Sequence, residues 1–236
     1  MRTGAPILAD YGPAMTPAAS KWPGITRFWP LVAGVLLLTL LWFGPLPESA
    51  RGSFAAHMAL HMGLVVLAAP LLALGLARAF PGLIAGLSPA VAIAASLVEF
   101  VAVWAWHAPA LHDAARVDAS IFVLEQASFL AAGILLWASA IGAAGAGRPA
   151  ARAAGVVALL VTSMHMTLLG ALLLLAPRPL YACAELCSPA AALTPLGDQQ
   201  FGGVLMLLVG GAAYLTGGLA LLASILREQT PSGGTG

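Results

Sequence analysis

The stretch Ser53-Phe54-Ala55-Ala56-His57-Met58-Ala59-Leu60-His61-Met62-Gly63-Leu64-Val65-Val66-Leu67-Ala68-Ala69-Pro70-Leu71-Leu72-Ala73-Leu74-Gly75-Leu76 decides the fold. No acidic residue, lysine or arginine interrupts it, and it is longer than the roughly 20 residues a helix needs to cross a bilayer. Only His57 and His61 break its apolar character. On an α-helix positions i and i+4 share a face, so both imidazoles point the same way with Met58 and Met62 alongside. An ionisable side chain inside a membrane is costly and marks function by default. Imidazole together with thioether is a ligand set suited to copper. The plainer reading is that each ring bonds a carbonyl or hydroxyl on a neighbouring helix and locks the bundle.

The rest of the chain has the same character. Its 236 residues are 61% hydrophobic and 8% charged, with mean hydropathy +0.96, whereas soluble domains carry roughly 25% charged residues. Six stretches are apolar enough to span, near 28–45, 53–76, 88–107, 119–141, 152–176 and 199–226. Breaks rich in Pro and Gly separate them, among them Gly44-Pro45-Leu46-Pro47, Phe80-Pro81-Gly82, Ala108-Pro109 and Pro177-Arg178-Pro179. The expected fold is all-α, a polytopic membrane helical bundle of about six transmembrane helices, or seven if the long last stretch divides. Residues 1–27, with Pro6, Pro13, Pro17 and Pro23, read as a flexible N-terminal arm, 28–227 as the bundle and 228–236 as a disordered tail. A net charge of +1 gives no case for nucleic acid.

Lys and Arg set the expected direction. With the N-terminus inside, the inner segments hold Arg2, Lys21, Arg27, Arg78, Arg148, Arg152 and Arg227, and the outer ones Arg51, Arg116 and Arg178. That bias favours N-in and C-in. The 53–76 span then enters from outside, placing His57 and His61 about 6 and 12 Å below its outer end. His107 ends the third span, His112 follows in a loop, and His165 lies about 16 Å below the outer end of the fifth span. All five histidines thus fall in the outer half.

Met164-His165-Met166 offers a third imidazole at a depth comparable with His61, so His57, His61 and His165 could form a three-nitrogen site with Met58, Met62, Met164 and Met166 as soft helpers. His107 and His112 could relay a metal from the aqueous side, although an interfacial His needs no such role. Asp198 and Gln199 open the last span, where an acid suits the positive end of the helix dipole and a polar side chain could orient an imidazole. Glu99 and Glu125 are the two acids inside spans, open to proton or cation handling. Cys183 and Cys187 fall in the last outer loop, where a disulfide, a reversible dithiol or a thiol copper site are all open. No phosphate loop, dinucleotide fingerprint or nucleophile elbow is present, and an enzyme is not expected.

Three segments in order carry a resemblance: His57-Met58-x-x-His61-Met62 leading to Ala69-Pro70-Leu71-Leu72-Ala73-Leu74-Gly75, then Trp106-His107-x-Pro109-Ala110-Leu111, then Asp198-Gln199-Gln200-x-Gly202-Gly203. Over roughly residues 30–226 the chain resembles the polytopic CtaG family of cytochrome c oxidase assembly factors. The resemblance implies a multi-pass protein of the bacterial inner (plasma) membrane that helps make a haem-copper oxidase by delivering copper. Oxidase subunits and periplasmic copper chaperones are the implied partners. It matches His57 and His61 to the family's paired histidines, His107 to its Trp-His-x-Pro histidine, and Asp198 and Gln199 to its Asp-Gln-Gln motif. The chain departs at Gln126, where the resemblance leads one to expect His, and at Leu207, where it leads one to expect Trp. A haem-binding electron carrier, a metal-free scaffold for oxidase subunits and a copper transporter are the competing readings.

Overall fold

A computed structural model describes residues 27–143, 149–182 and 193–229. The described elements are helical. They are α1 (Trp29–Phe43), α2 (Leu46–Gly52), α3 (Phe54–Ala79), α4 (Pro81–Ala85), α5 (Pro89–Trp106), α6 (Pro109–Val117), α7 (Ala119–Ala143), α8 (Pro149–Leu175) and α9 (Pro195–Arg227, its last residues reaching Gln229). Five helices (α3, α5, α7, α8 and α9) are each long and apolar enough to cross a membrane. The pair α1 and α2, bent by 47° at their junction, is a sixth candidate span. Pro45 sits at that bend, and its fixed φ and missing N–H explain why α1 cannot run on. The chain is a multi-pass membrane protein, as the six apolar stretches indicate. Most of the expected arm and tail, 1–26 and 230–236, lies outside the described residues, as do Cys183 and Cys187.

The helix α3 is the axis of the bundle. Of its apolar window 61% is buried, against 28% for α5. It packs on α1, α7 and α9, while α8 packs on α5 and α9. Two of these contacts are backbone-close. A Cβ on Gly203 would lie 2.7 Å from the Leu174 nitrogen and 2.8 Å from the Gly170 carbonyl oxygen, so α8 and α9 meet where neither helix carries a side chain. A Cβ on Gly202 would lie 2.4 Å from the Phe54 ring and 3.0 Å from Met58 Cγ, which sets α9 directly against the start of α3.

Both α3 and α9 widen to a π-helical turn mid-span, over Gly63–Ala68 and Met206–Gly210. In α3 the cause is Pro70, which has no N–H to return and whose ring would clash with the preceding turn. Side chains satisfy carbonyls at these turns: Trp137 Nε1 donates to the Val65 carbonyl at 2.9 Å, and Ser163 Oγ to the Gly211 carbonyl at 2.8 Å. The α3 turn follows His61 and Met62 directly, and such turns recur at functional sites.

Three short helices, α2, α4 and α6, occupy stretches that read as loops in the sequence. We call the end at which α3, α7 and α9 start and α5 and α8 finish the top; α2 precedes α3 there and α6 links α5 to α7.

Candidate functional site

The top of α3 is held by a side chain from another helix. Ser53 caps α3, its hydroxyl accepting from Ala56 N at 3.2 Å. Asp198, in the first turn of α9, accepts from Phe54 N at 2.6 Å, Ala55 N at 3.2 Å and Ser53 Oγ at 2.8 Å. The first free N–H groups of α3 are thereby satisfied, and a carboxylate sits at the positive end of its dipole. The next residue inward is His57. Gln199 holds a different piece of backbone, accepting from Leu180 N at 2.8 Å and donating to the Leu173 carbonyl at 3.1 Å. Neither side chain bonds an imidazole; both fix the frame around the site.

His57 and His61 are fully buried and share one face of α3, as their spacing requires. That face turns toward α5, α6 and α7. The ring of His57 lies 5.1 Å from that of His112 and 6.3 Å from that of His107, while His61 lies 5.8 Å from His107 and 4.0 Å from Phe129, centroid to centroid. Four of the five histidines thus form one buried group, drawn from α3, the end of α5 and α6.

Two charged residues complete it. Arg116, on α6, donates to the Ala50 carbonyl at 2.6 Å, to His57 Nδ1 at 2.8 Å and to Glu125 Oε2 at 2.6 Å. Gln126 Nε2 also donates to Glu125 Oε2, at 3.0 Å. Guanidinium only donates, so His57 Nδ1 accepts and the hydrogen of the neutral ring is on Nε2, which faces Glu125 Oε1 at 3.6 Å. Burial is the largest effect on Arg116 and lowers its pKa from its ordinary value, with the Glu125 carboxylate opposing it. Burial, and then the Arg116 cation, hold His112 well below the usual imidazole range.

The lone pairs matter most for metal chemistry. His107 Nδ1 is held by the Val103 carbonyl at 2.6 Å, so its hydrogen is there and Nε2 carries a bare lone pair. A ring nitrogen fixed by a backbone carbonyl, with the other left free, is the usual arrangement of a metal-binding His. His107 Nε2, both nitrogens of His61, His57 Nε2, His112 Nδ1 and Glu125 Oε1 are buried without a hydrogen-bond partner. One ligand atom each from His57, His112 and Glu125 comes within 4.8 Å of the others. Around a four-coordinate first-row metal such atoms sit about 3.3 Å apart, so the set closes on an ion only with an inward movement and with a ring nitrogen of His57 freed. Above it, Gly52, Phe54, His112, Arg116 and Tyr181 line a cavity of about 20 Å³ at the top, room for about one water molecule.

The expected third imidazole is elsewhere. His165 packs edge-on against Phe100 at 5.3 Å, with both ring nitrogens unpartnered, and is not in the group. Its depth along the bundle suits a ligand, but α8 presents it to α5 instead of α3. The methionines also part from the histidines. Met58 and Met62 follow their histidines by one residue, about 100° around the helix, and face α9 at Gly202 and Gly210. Met166 adjoins Met62 at Gly210, whereas Met164 is 71% exposed on the outside of the bundle. Glu99 receives the Tyr214 hydroxyl, one turn from a Ser96–Thr162 hydroxyl pair at 3.0 Å, in the seam of α5, α8 and α9. Glu125, by contrast, is a central member of the group.

Arg116 is the functional residue that charge counting passed over as a loop cation. Its signal was present: His112 and Arg116 stand four apart after Pro109, the same i, i+4 spacing as His57 and His61.

The family model described as cytochrome c oxidase caa3 assembly factor (Caa3_CtaG) matches residues 11–228. No curated protein and no solved structure shows a significant match.

Proposed function

The chain belongs to the cytochrome c oxidase caa3 assembly factor family, and on that premise we propose that it holds a copper ion transiently at the top of the bundle and passes it to an oxidase subunit within the membrane. One observation carries this reading: four imidazoles from three helices are buried together, and that of His107 is oriented by a carbonyl so that its Nε2 lone pair is free. Burying so many unpartnered nitrogens is costly, and a bound metal ion would offset that cost. Imidazole suits copper.

His57, His61, His107 and His112 are the proposed ligands, with Glu125 as ligand or counter-charge. Asp198 and Ser53 position the helix that carries His57 and His61. Met58, Met62 and Met166 pack the neighbouring face, where thioethers border the site without sharing its direction. The excess of Lys and Arg at the opposite end supports a top that faces outward from a bacterial inner membrane, toward periplasmic copper chaperones as donors. Copper is cargo here, and the role is not catalytic. The haem-carrier reading is weaker: rings packed 4–6 Å apart under a cavity of about 20 Å³ leave no space for a porphyrin.

The test is copper content of detergent-purified protein loaded with Cu(I) under reducing conditions, beside His57→Ala/His61→Ala. About one copper per chain, lost in the double variant, is the expected result. No copper in either protein would leave the metal-free scaffold as the better reading, and copper retained by the variant would move the site to Cys183 and Cys187.

A further inference from the structure

Arg116 is an unusual neighbour for a group meant to receive a cation. It is 6% exposed, and its guanidinium reaches a carbonyl, an imidazole and a carboxylate at once. The imidazole contact takes the Nδ1 lone pair of His57, leaving only an N–H on the other side of that ring. An N–H cannot ligate a metal. In this arrangement His57 is therefore blocked, and only movement of Arg116 frees it.

We infer that Arg116 is a displaceable stand-in for the cargo: its guanidinium occupies the His57 Nδ1 position in the unloaded site, an incoming Cu(I) ion takes that position, and the return of Arg116 promotes release. The inference rests on the copper reading above and adds a release device to it. The exchange balances without a proton moving. The hydrogen bond from Arg116 to Nδ1 breaks, a Cu–Nδ1 bond forms, and the Nε2 hydrogen stays on the ring, with Glu125 Oε1 3.6 Å from Nε2, just beyond hydrogen-bond reach. A small approach of the two would complete the carboxylate-oriented imidazole common among metal-bound histidines. One positive charge replaces another beside Glu125, so a monovalent ion leaves the charge of the buried group unchanged, whereas a divalent ion does not. Arg116 also lines the cavity at the top, whose volume of about 20 Å³ holds one water and not a guanidinium, so its withdrawal requires α6 to move. The i, i+4 spacing carries His112 on the same helix, so movement of α6 would shift ligand and competitor together.

The experiment loads wild-type protein, Arg116→Gln and Arg116→Lys with Cu(I) and follows its loss to a strong colorimetric Cu(I) chelator. Without a like charge beside the ion, Arg116→Gln should release copper about tenfold more slowly or worse, while oxidase assembly in cells falls because transfer is impaired. Arg116→Lys keeps the charge beside Glu125 but has no planar fork to span the three acceptors, so it should be intermediate and decides the matter if Arg116→Gln does not fold. Release from Arg116→Lys at or above the wild-type rate, or lower copper content in folded Arg116→Gln, would overturn the inference while leaving the copper reading intact. Absence of copper from wild type and both variants would overturn the copper reading, and this inference with it.

Discussion

Asp198→Ala should be among the most damaging single changes outside the histidine group. Asp198 accepts from two backbone N–H groups of α3 and from the Ser53 hydroxyl. Loss of an N-cap costs about 1 kcal/mol, and each buried donor left without a partner about 1–3 kcal/mol. Ser53 still caps Ala56, so the first turn is not wholly orphaned. Of the two N–H groups only that of Phe54 is fully buried, so the total is then about 2–4 kcal/mol. For a chain of this size 1 kcal/mol shifts the unfolding midpoint by about 2–4 °C, so Asp198→Ala should unfold about 5–15 °C below wild type in the same detergent. Asp198→Asn keeps an acceptor and loses the charge at the helix dipole, about 1 kcal/mol, and should fall by only a few degrees. Thermal unfolding monitored by size exclusion or intrinsic fluorescence reads both. A midpoint for Asp198→Ala within about 2 °C of wild type would refute the reasoning; so would an equal loss in the two variants, since then accepting hydrogen bonds would not be what the residue does.

Other substitutions probe the packing and the buried polar groups. Gly203→Ala places a Cβ 2.7 Å from the Leu174 backbone nitrogen and should cost about 1–3 kcal/mol by overpacking; Gly82→Ala, with nothing within 4 Å of its Cβ, is the silent control. Equal unfolding midpoints for the two would count against the close α8–α9 contact. Tyr214→Phe removes the hydroxyl that donates to Glu99 and should cost about 1–3 kcal/mol, most of it recovered when Glu99 is replaced by Leu in the same chain; a purely additive loss would show that the two do not interact. The lowered pKa of His112 makes stability pH-dependent: the unfolded chain takes up a proton below about pH 6.5 that the folded one refuses. Stability should therefore be full above that pH and fall as pH drops toward 5, by up to about 1.4 kcal/mol per pH unit for this group. A midpoint that rises on acidification would contradict the burial of His112.

The sequence was most informative where the physics is one-dimensional. Apolar length and Pro/Gly breaks located the five long apolar helices to within a few residues, because a bilayer imposes its thickness on each helix separately. The shared face of His57 and His61 followed from helical period alone. Azimuth between helices did not. His165 has suitable depth, yet depth leaves its direction around α8 open, and that helix turns it toward Phe100. Met58 and Met62 adjoin the histidines in sequence but diverge from them by a helical step. Asp198 stands where an acid suits the start of its own helix, yet its carboxylate serves α3, a tertiary contact that no local rule contains. Arg116 lay in a stretch that read as a loop, and recognising α6 as a short helix would have put it on the same face as His112.

Copper content of His107→Ala and His165→Ala, measured on folded protein loaded with Cu(I) beside wild type, separates the histidine group from the arrangement that depth alone suggested. Copper should be lost from His107→Ala, whose Nε2 lone pair is free and whose ring lies beside those of His57 and His61, and retained at about one per chain by His165→Ala. Copper kept by His107→Ala and lost from His165→Ala would contradict the site proposed here.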